Sequence, residues 1–258
     1  MNIKIIVATH KKYWMPDDPM YLPVHVGAAG KEDLGYQRDD EGENISDKNA
    51  NYCELTGLYW AWKNVNADYI GLAHYRRHFS NGKRFGDKKE KVINSDEMEK
   101  KLNGMDILLP MPRNYWIETN YSQYAHAHHA IDLDMTRDIL KEKYPQYIAA
   151  WDSCMKKTTG HRFNMFVMKK EFFDQYCEWL FDVLFELEKR LDISTYNKND
   201  SRVFGFVSER LLDVWLETNI YSYKDTSYVF MENQNWVIKG WSFLKRKIGR
   251  KKTKKTLL

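Results

Sequence analysis

The sequence predicts one α/β domain with a mixed central sheet flanked by helices, a helical C-terminal half and a short basic tail. Three observations carry this reading. The apolar runs Ile3–Ala8 and Tyr69–Ala73 flank a helical stretch over roughly 47–65, a strand–helix–strand unit whose connection should be right-handed. Two further short apolar runs, Met105–Pro110 and Arg162–Met168, supply more strands. The stretch 171–191 is amphipathic at helical spacing, with Phe172, Tyr176, Trp179, Leu180, Val183, Leu184 and Leu187 on one face. At 258 residues, with 43% hydrophobic and 29% charged, the chain has the length and composition of a globular protein with a sizeable core.

Ile3–Ala8 is β-branched and too short for a signal-peptide core. It ends in Thr9-His10-Lys11-Lys12-Tyr13-Trp14, where an aromatic and a cation can clamp a base or its ribose. No glycine-rich phosphate loop follows, which argues against a dinucleotide fold or a P-loop. Residues 15–47 are rich in turn residues, with Tyr21–Val26 as a second short strand. Ser46 or Asp47 is a candidate helix cap, and Asn44 just before them is a candidate binding residue. In the helix over 47–65, Tyr52, Leu55, Tyr59 and Trp62 fall on the core face, and Glu54 lies off it.

Tyr69–Phe79 reads YIGLAHYRRHF, a buried strand that delivers His74, Tyr75, Arg76 and Arg77 at its C-terminal end. Ligands of open α/β sheets bind outside the carboxyl ends of strands, and guanidinium groups grip phosphate with a two-pronged fork. A phosphate-bearing ligand is one reading; a solvated basic junction is the other. After a polar loop over 80–92, Ser95 caps a short helix to Asn103, with Met98 and Leu102 inward. The chain from Tyr121 to Met155 reads as helical, broken at Pro145. It contains His126, His128 and His129 and the pattern Asp132-Leu133-Asp134. That pattern fits a divalent cation, yet acids are favoured at a helix start in any case. Asn164 interrupts an apolar strand, where asparagine is disfavoured unless it serves a site. Arg202 opens the last helix, with the candidate base Glu209 and with Arg210 in its first turns.

Three scattered cysteines with no CxxC pair argue against a disulfide framework or a structural zinc site, and fit a reducing cytoplasm. Nine of the 40 Lys and Arg residues lie between Lys239 and Lys255, past the last acid, Glu232, so the body is net acidic. The tail over 236–258 mixes these cations with Trp236, Trp241, Phe243 and Leu244, the make-up of an anchor on anionic lipid. An acidic body argues against a nucleic-acid partner.

Four segments in this order carry a resemblance: THKKYW, DDEGENISDKNANYCELTGLYWAWKN, GLAHYRRHF, and the pair NMFVMKKEFFDQYCEWLFDVLFELEKR and RVFGFVSERLLDVWL. Over about residues 3–220 the chain resembles the bacterial capsular and exopolysaccharide glycosyltransferase family first catalogued as a domain of unknown function. The resemblance implies a GT-A-like fold over 1–235 and a UDP-sugar donor, with galactofuranose as a candidate sugar. It also implies a lipid-linked oligosaccharide acceptor and a place on the inner face of the cytoplasmic membrane. Thr9, His10 and Lys11 would then line the uridine end, with Tyr13, Asn44, Ser46, Glu54, His128, Asn164, Arg202 and Arg210 as further substrate-binding residues. His74, Tyr75, Arg76 and Arg77 stand where such enzymes keep their metal-binding acids. That departure leads to an expectation of metal-independent, inverting transfer, with Glu209 as the base and Glu54 in reserve. A non-catalytic carbohydrate- or nucleotide-binding module is the competing expectation.

Overall fold

The computed structural model describes residues 1–232; the expected tail over 236–258 lies outside the described residues. In chain order the strands are β1 (Ile3–Thr9), β2 (Tyr21–His25), β3 (Gln37–Arg38), β4 (Tyr69–His74), β5 (Arg77–Phe79), β6 (Ile107–Pro110), β7 (Arg113–Asn114), β8 (Thr159–Gly160), β9 (Phe166–Lys169), β10 (Lys224–Thr226) and β11 (Tyr228–Phe230). The helices are α1 (Asn49–Tyr52), α2 (Leu55–Asn64), α3 (Ser95–Leu102), α4 (Asn120–Ala127), α5 (Ala130–Lys143), α6 (Ile148–Lys156), α7 (Lys170–Arg190) and α8 (Val203–Asn219).

The central sheet runs β10-β6-β9-β4-β1-β2-β3, with β5 on β4 and β11 on β5. Strand β1 pairs in parallel with both β2 and β4, whereas β9 is antiparallel to both β4 and β6. The expected mixed sheet flanked by helices is what forms. One apolar layer under α2, α7 and α8 includes Ile6, Leu72, Phe166, Leu180 and Leu211, and the opposite face buries Ile5, Val7, Phe79, Met98 and Leu108. Gly71 permits the β4–β9 contact, because a Cβ there would lie 2.7 Å from the Phe166 carbonyl oxygen.

The antiparallel course of β9 decides where the site forms. Its N-terminal approach, residues 161–165, lands at the carboxyl end of β4. The strand expected over Arg162–Met168 is therefore shorter. Phe163 and Asn164 stand before it at left-handed φ of 79° and 53°, a backbone state that asparagine tolerates better than most residues.

The helix expected over 47–65 is also interrupted. Cys53 takes φ 55° between α1 and α2, which re-aims the chain at Glu54. Two expected caps shift as well. Ser46 makes no side-chain cap, because its hydroxyl donates to Asp39 at 2.5 Å, and α3 is capped by Asn94 with Glu97, not by Ser95.

His78 on β5 is fully buried, with Trp14 and Tyr21 edge-on at 5.9 and 5.8 Å. Burial pushes its pKa down to about 4, and burial with Arg77 nearby does the same for His74. A histidine whose folded pKa is depressed contributes stability that is whole above its unfolded value and is lost as pH falls. Thermal melts should therefore show a contribution from these two histidines that lowers the melting temperature progressively as pH falls from 6.5 toward 4. His78→Phe should flatten part of that slope, and an unchanged slope would show that other groups cause it.

Candidate active site

The turn after β4 separates its two arginines. Arg76 faces outward with its side chain 52% exposed, and Arg77 turns inward. On the outer side, the buried Tyr75 ring is a hub. His10 meets it edge-on at 5.3 Å and Tyr13 at 4.9 Å, with the Lys11 ammonium 5.2 Å and the Arg76 guanidinium 5.1 Å from its centroid. Burial and the neighbouring Lys11 and Arg76 push the His10 pKa down. The outcome is an aromatic, cationic patch at the carboxyl ends of β1 and β4. Arg76 pairs there with Glu232 at 3.5 Å.

On the inner side, the Arg77 guanidinium lies 3.5 Å from the Phe163 ring centroid and 4.8 Å from that of Phe230. Burial pulls its pKa down to about 10 against the opposing pull of Glu209 and Glu54. Both carboxylates therefore belong to its electrostatic surroundings. His74 donates from Nε2 to the Phe163 carbonyl at 2.5 Å, which leaves Nδ1 as the acceptor of a neutral ring.

The two carboxylates differ in kind. Glu209 accepts the Phe163 N–H at 3.1 Å on one oxygen and Arg210 at 3.0 Å on the other. One oxygen thus holds the 161–164 turn and the other meets the next residue of α8, so both already have donors in this geometry. Glu54 accepts from Asn164 Nδ2 at 2.7 Å on one oxygen. Burial raises its pKa, while Asn164, Arg202 and Arg77 favour its charged form. Asn164 is fixed in turn by Ser208, which donates to its Oδ1 at 2.9 Å, and by the Gly205 carbonyl. Arg202 closes this side, its Nε 3.1 Å from Cys53 Sγ.

Other expected residues are placed differently. The Thr9 hydroxyl donates to the Lys11 carbonyl at 2.6 Å and is buried in that turn. Asn44 closes its own loop through Gly42 and Ser46. Ser46 and Thr56 both donate to Asp39, which in turn accepts the N–H groups of Gly27 and Ala28. His128 pairs with Asp200 at 2.9 Å and stacks on Phe206 at 4.3 Å. Arg210 is buried against Tyr124 and donates to Gln123 and Phe206. The acidic-histidine segment does not converge. Asp132 accepts from Tyr124 and Tyr196, Asp134 from Tyr121, and His126 turns to Glu118. Among the described residues, no group of three His, Cys, Asp or Glu is placed to hold a metal ion.

Sequence reasoning passed over Phe163, whose N–H, carbonyl and ring are each gripped by a different member of the site. Arg113 also approaches that ring, at 5.6 Å, next to an 81% exposed Trp116. A cavity of about 460 Å³ lies apart from this cluster, around His161, which sits between Asp213 and Asp225.

The model of a family described as a domain of unknown function, DUF4422, matches residues 4–220, nearly the whole described body. The chain belongs to the DUF4422 family. This DUF4422 domain is similar to the structure titled WbbM bifunctional glycosyltransferase, apo, at a TM-score of 0.85 and 32% identity. The match covers 90% of this chain and 46% of that one, so the chain spans about half the length of that neighbour. No curated protein matches. Among the described residues, no helix of this DUF4422 chain is long and apolar enough to cross a membrane.

Proposed function

We propose that this chain is a glycosyltransferase that moves a sugar from a UDP-sugar to a lipid-linked oligosaccharide in bacterial surface-polysaccharide assembly, by one inverting displacement. The observation that carries this reading is the Glu54–Asn164 pair set beside Arg77, next to the cationic patch of Lys11 and Arg76. The acceptor hydroxyl passes its proton to the Glu54 carboxylate as its oxygen bonds to the anomeric carbon. The bond from that carbon to the diphosphate breaks, and Arg76, Arg77 and Lys11 stabilise the charge that grows on the leaving group. A burial-raised carboxylate suits a base working near neutrality. Arg113, beside Phe163, and the exposed Trp116 three residues on are candidates for meeting the acceptor. UDP-galactofuranose is the first donor to test, and the basic tail would hold the protein on the inner membrane face. A binding module without turnover has no requirement for the half-buried carboxylate, which favours the enzyme.

Thermal shift with UDP tests the donor side. UDP should raise the melting temperature in EDTA, and Arg76→Ala should remove that shift. Stabilisation only with manganese would overturn the metal-independent mechanism, and no shift with any nucleotide would overturn the donor assignment.

A further inference from the structure

The loop after β5, residues 80–92, carries five cations, Lys83, Arg84, Lys88, Lys89 and Lys91, against two acids, Asp87 and Glu90. Phe85 stands at its tip, 87% exposed, between Gly82 and Gly86 at φ 87° and 98°. An exposed aromatic is ordinary by itself; a ring collared by cations is the composition of an interfacial contact. The loop is held in shape by Asn81, which donates to the Glu90 carbonyl at 3.1 Å, and by a bond from the Ile93 N–H to the Phe79 carbonyl at its base. A cavity of about 480 Å³ lies beneath it, lined by Lys83, Lys88, Lys91 and Ser227 and reaching Glu232. Lys88 donates to the Met231 carbonyl at 3.2 Å. The loop thus abuts the point from which the chain continues into its basic tail. Glu232, which also touches Arg76, ties this face to the rim of the active site.

We propose that loop 80–92 is a second membrane contact, in which Phe85 enters the headgroup–acyl boundary of an anionic bilayer while its cations lie against lipid phosphates. A single weak signal gives marginal, reversible membrane binding, and two together give stable binding. The described chain ends beside this loop, so a membrane-bound tail would bring the loop to the same surface. The inference does not depend on the transfer reaction.

The test is co-sedimentation of the full chain with phosphatidylcholine vesicles and with vesicles containing 30% phosphatidylglycerol, for the parent, Phe85→Ser and the double variant Lys83→Glu/Arg84→Glu. All positions are exposed, so unchanged melting temperatures and an unchanged UDP shift should show that fold and donor site are intact. We expect the parent to bind only the anionic vesicles, and each variant to bind them at least about fivefold more weakly. Unchanged binding in either variant overturns the proposal. Loss in the charge variant alone would mark a general polyanion patch with no inserted ring, and that also overturns it.

Discussion

Glu54→Gln is expected to lower glycosyl transfer by about 10²–10⁴-fold while leaving UDP binding in place. The amide oxygen still accepts from Asn164 but the amide cannot take up a proton, so the local geometry survives and only the base is lost. Steady-state turnover beside the UDP thermal shift separates the two effects. The pH profile gives the sign. The base works deprotonated and burial raises its pKa, so activity is present above that pKa and falls as pH drops through it. The acid limb should lie higher than an ordinary glutamate would place it and should vanish in Glu54→Gln. Glu209→Gln supplies the contrast. It leaves a neutral amide to hold the Phe163 N–H and Arg210 and should loosen the 161–164 turn, with a smaller loss that keeps the acid limb. If Glu209→Gln proves the more damaging and erases the limb, the roles of the two carboxylates are reversed.

Arg77→Lys is expected to fold yet lose on the order of 10²-fold or more in turnover, because a point charge cannot replace the planar fork. The guanidinium is stacked on Phe163 and faces two carboxylates. A lysine keeps the charge but neither the stacking nor the paired donors aimed at a leaving diphosphate. Arg77→Ala goes further, removing the guanidinium stacked on Phe163 together with one of the cations near Glu54 and Glu209, and should lower stability as well as turnover. Denaturant melts of the two variants, read beside activity, separate these effects. Near-parental turnover in Arg77→Lys would remove Arg77 from the chemistry.

The layered architecture was legible because its strands are short apolar runs and α7 has a strong helical period. The site was legible where one strand end concentrates chemistry, as in His74–Arg77. Local pattern could not tell that Arg76 and Arg77 part company, since adjacent residues in a turn are sorted by what packs against them. Nor could it separate Glu54 from Glu209, because that distinction rests on partners 110 and 46 residues away in the chain. Thr9, Asn44 and Ser46, expected as ligands, make bonds to nearby backbone groups and side chains, a use that leaves the same mark in sequence as binding. The breaks at Cys53 and Phe163–Asn164 override local propensity through tertiary contacts. Asn164 gave a hint, as asparagine is enriched at left-handed positions.

The ion pair between Arg76 and Glu232 has a thermodynamic corollary. A diphosphate that engages Arg76 competes with Glu232, the residue from which the basic tail departs. Two ligands that draw on one contact are linked, and linkage is reciprocal. On the proposed function, whatever draws Glu232 away from Arg76 raises affinity for the nucleotide by the same factor by which the nucleotide releases Glu232. If the chain binds a membrane and a nucleotide as proposed, this one carboxylate would couple the two.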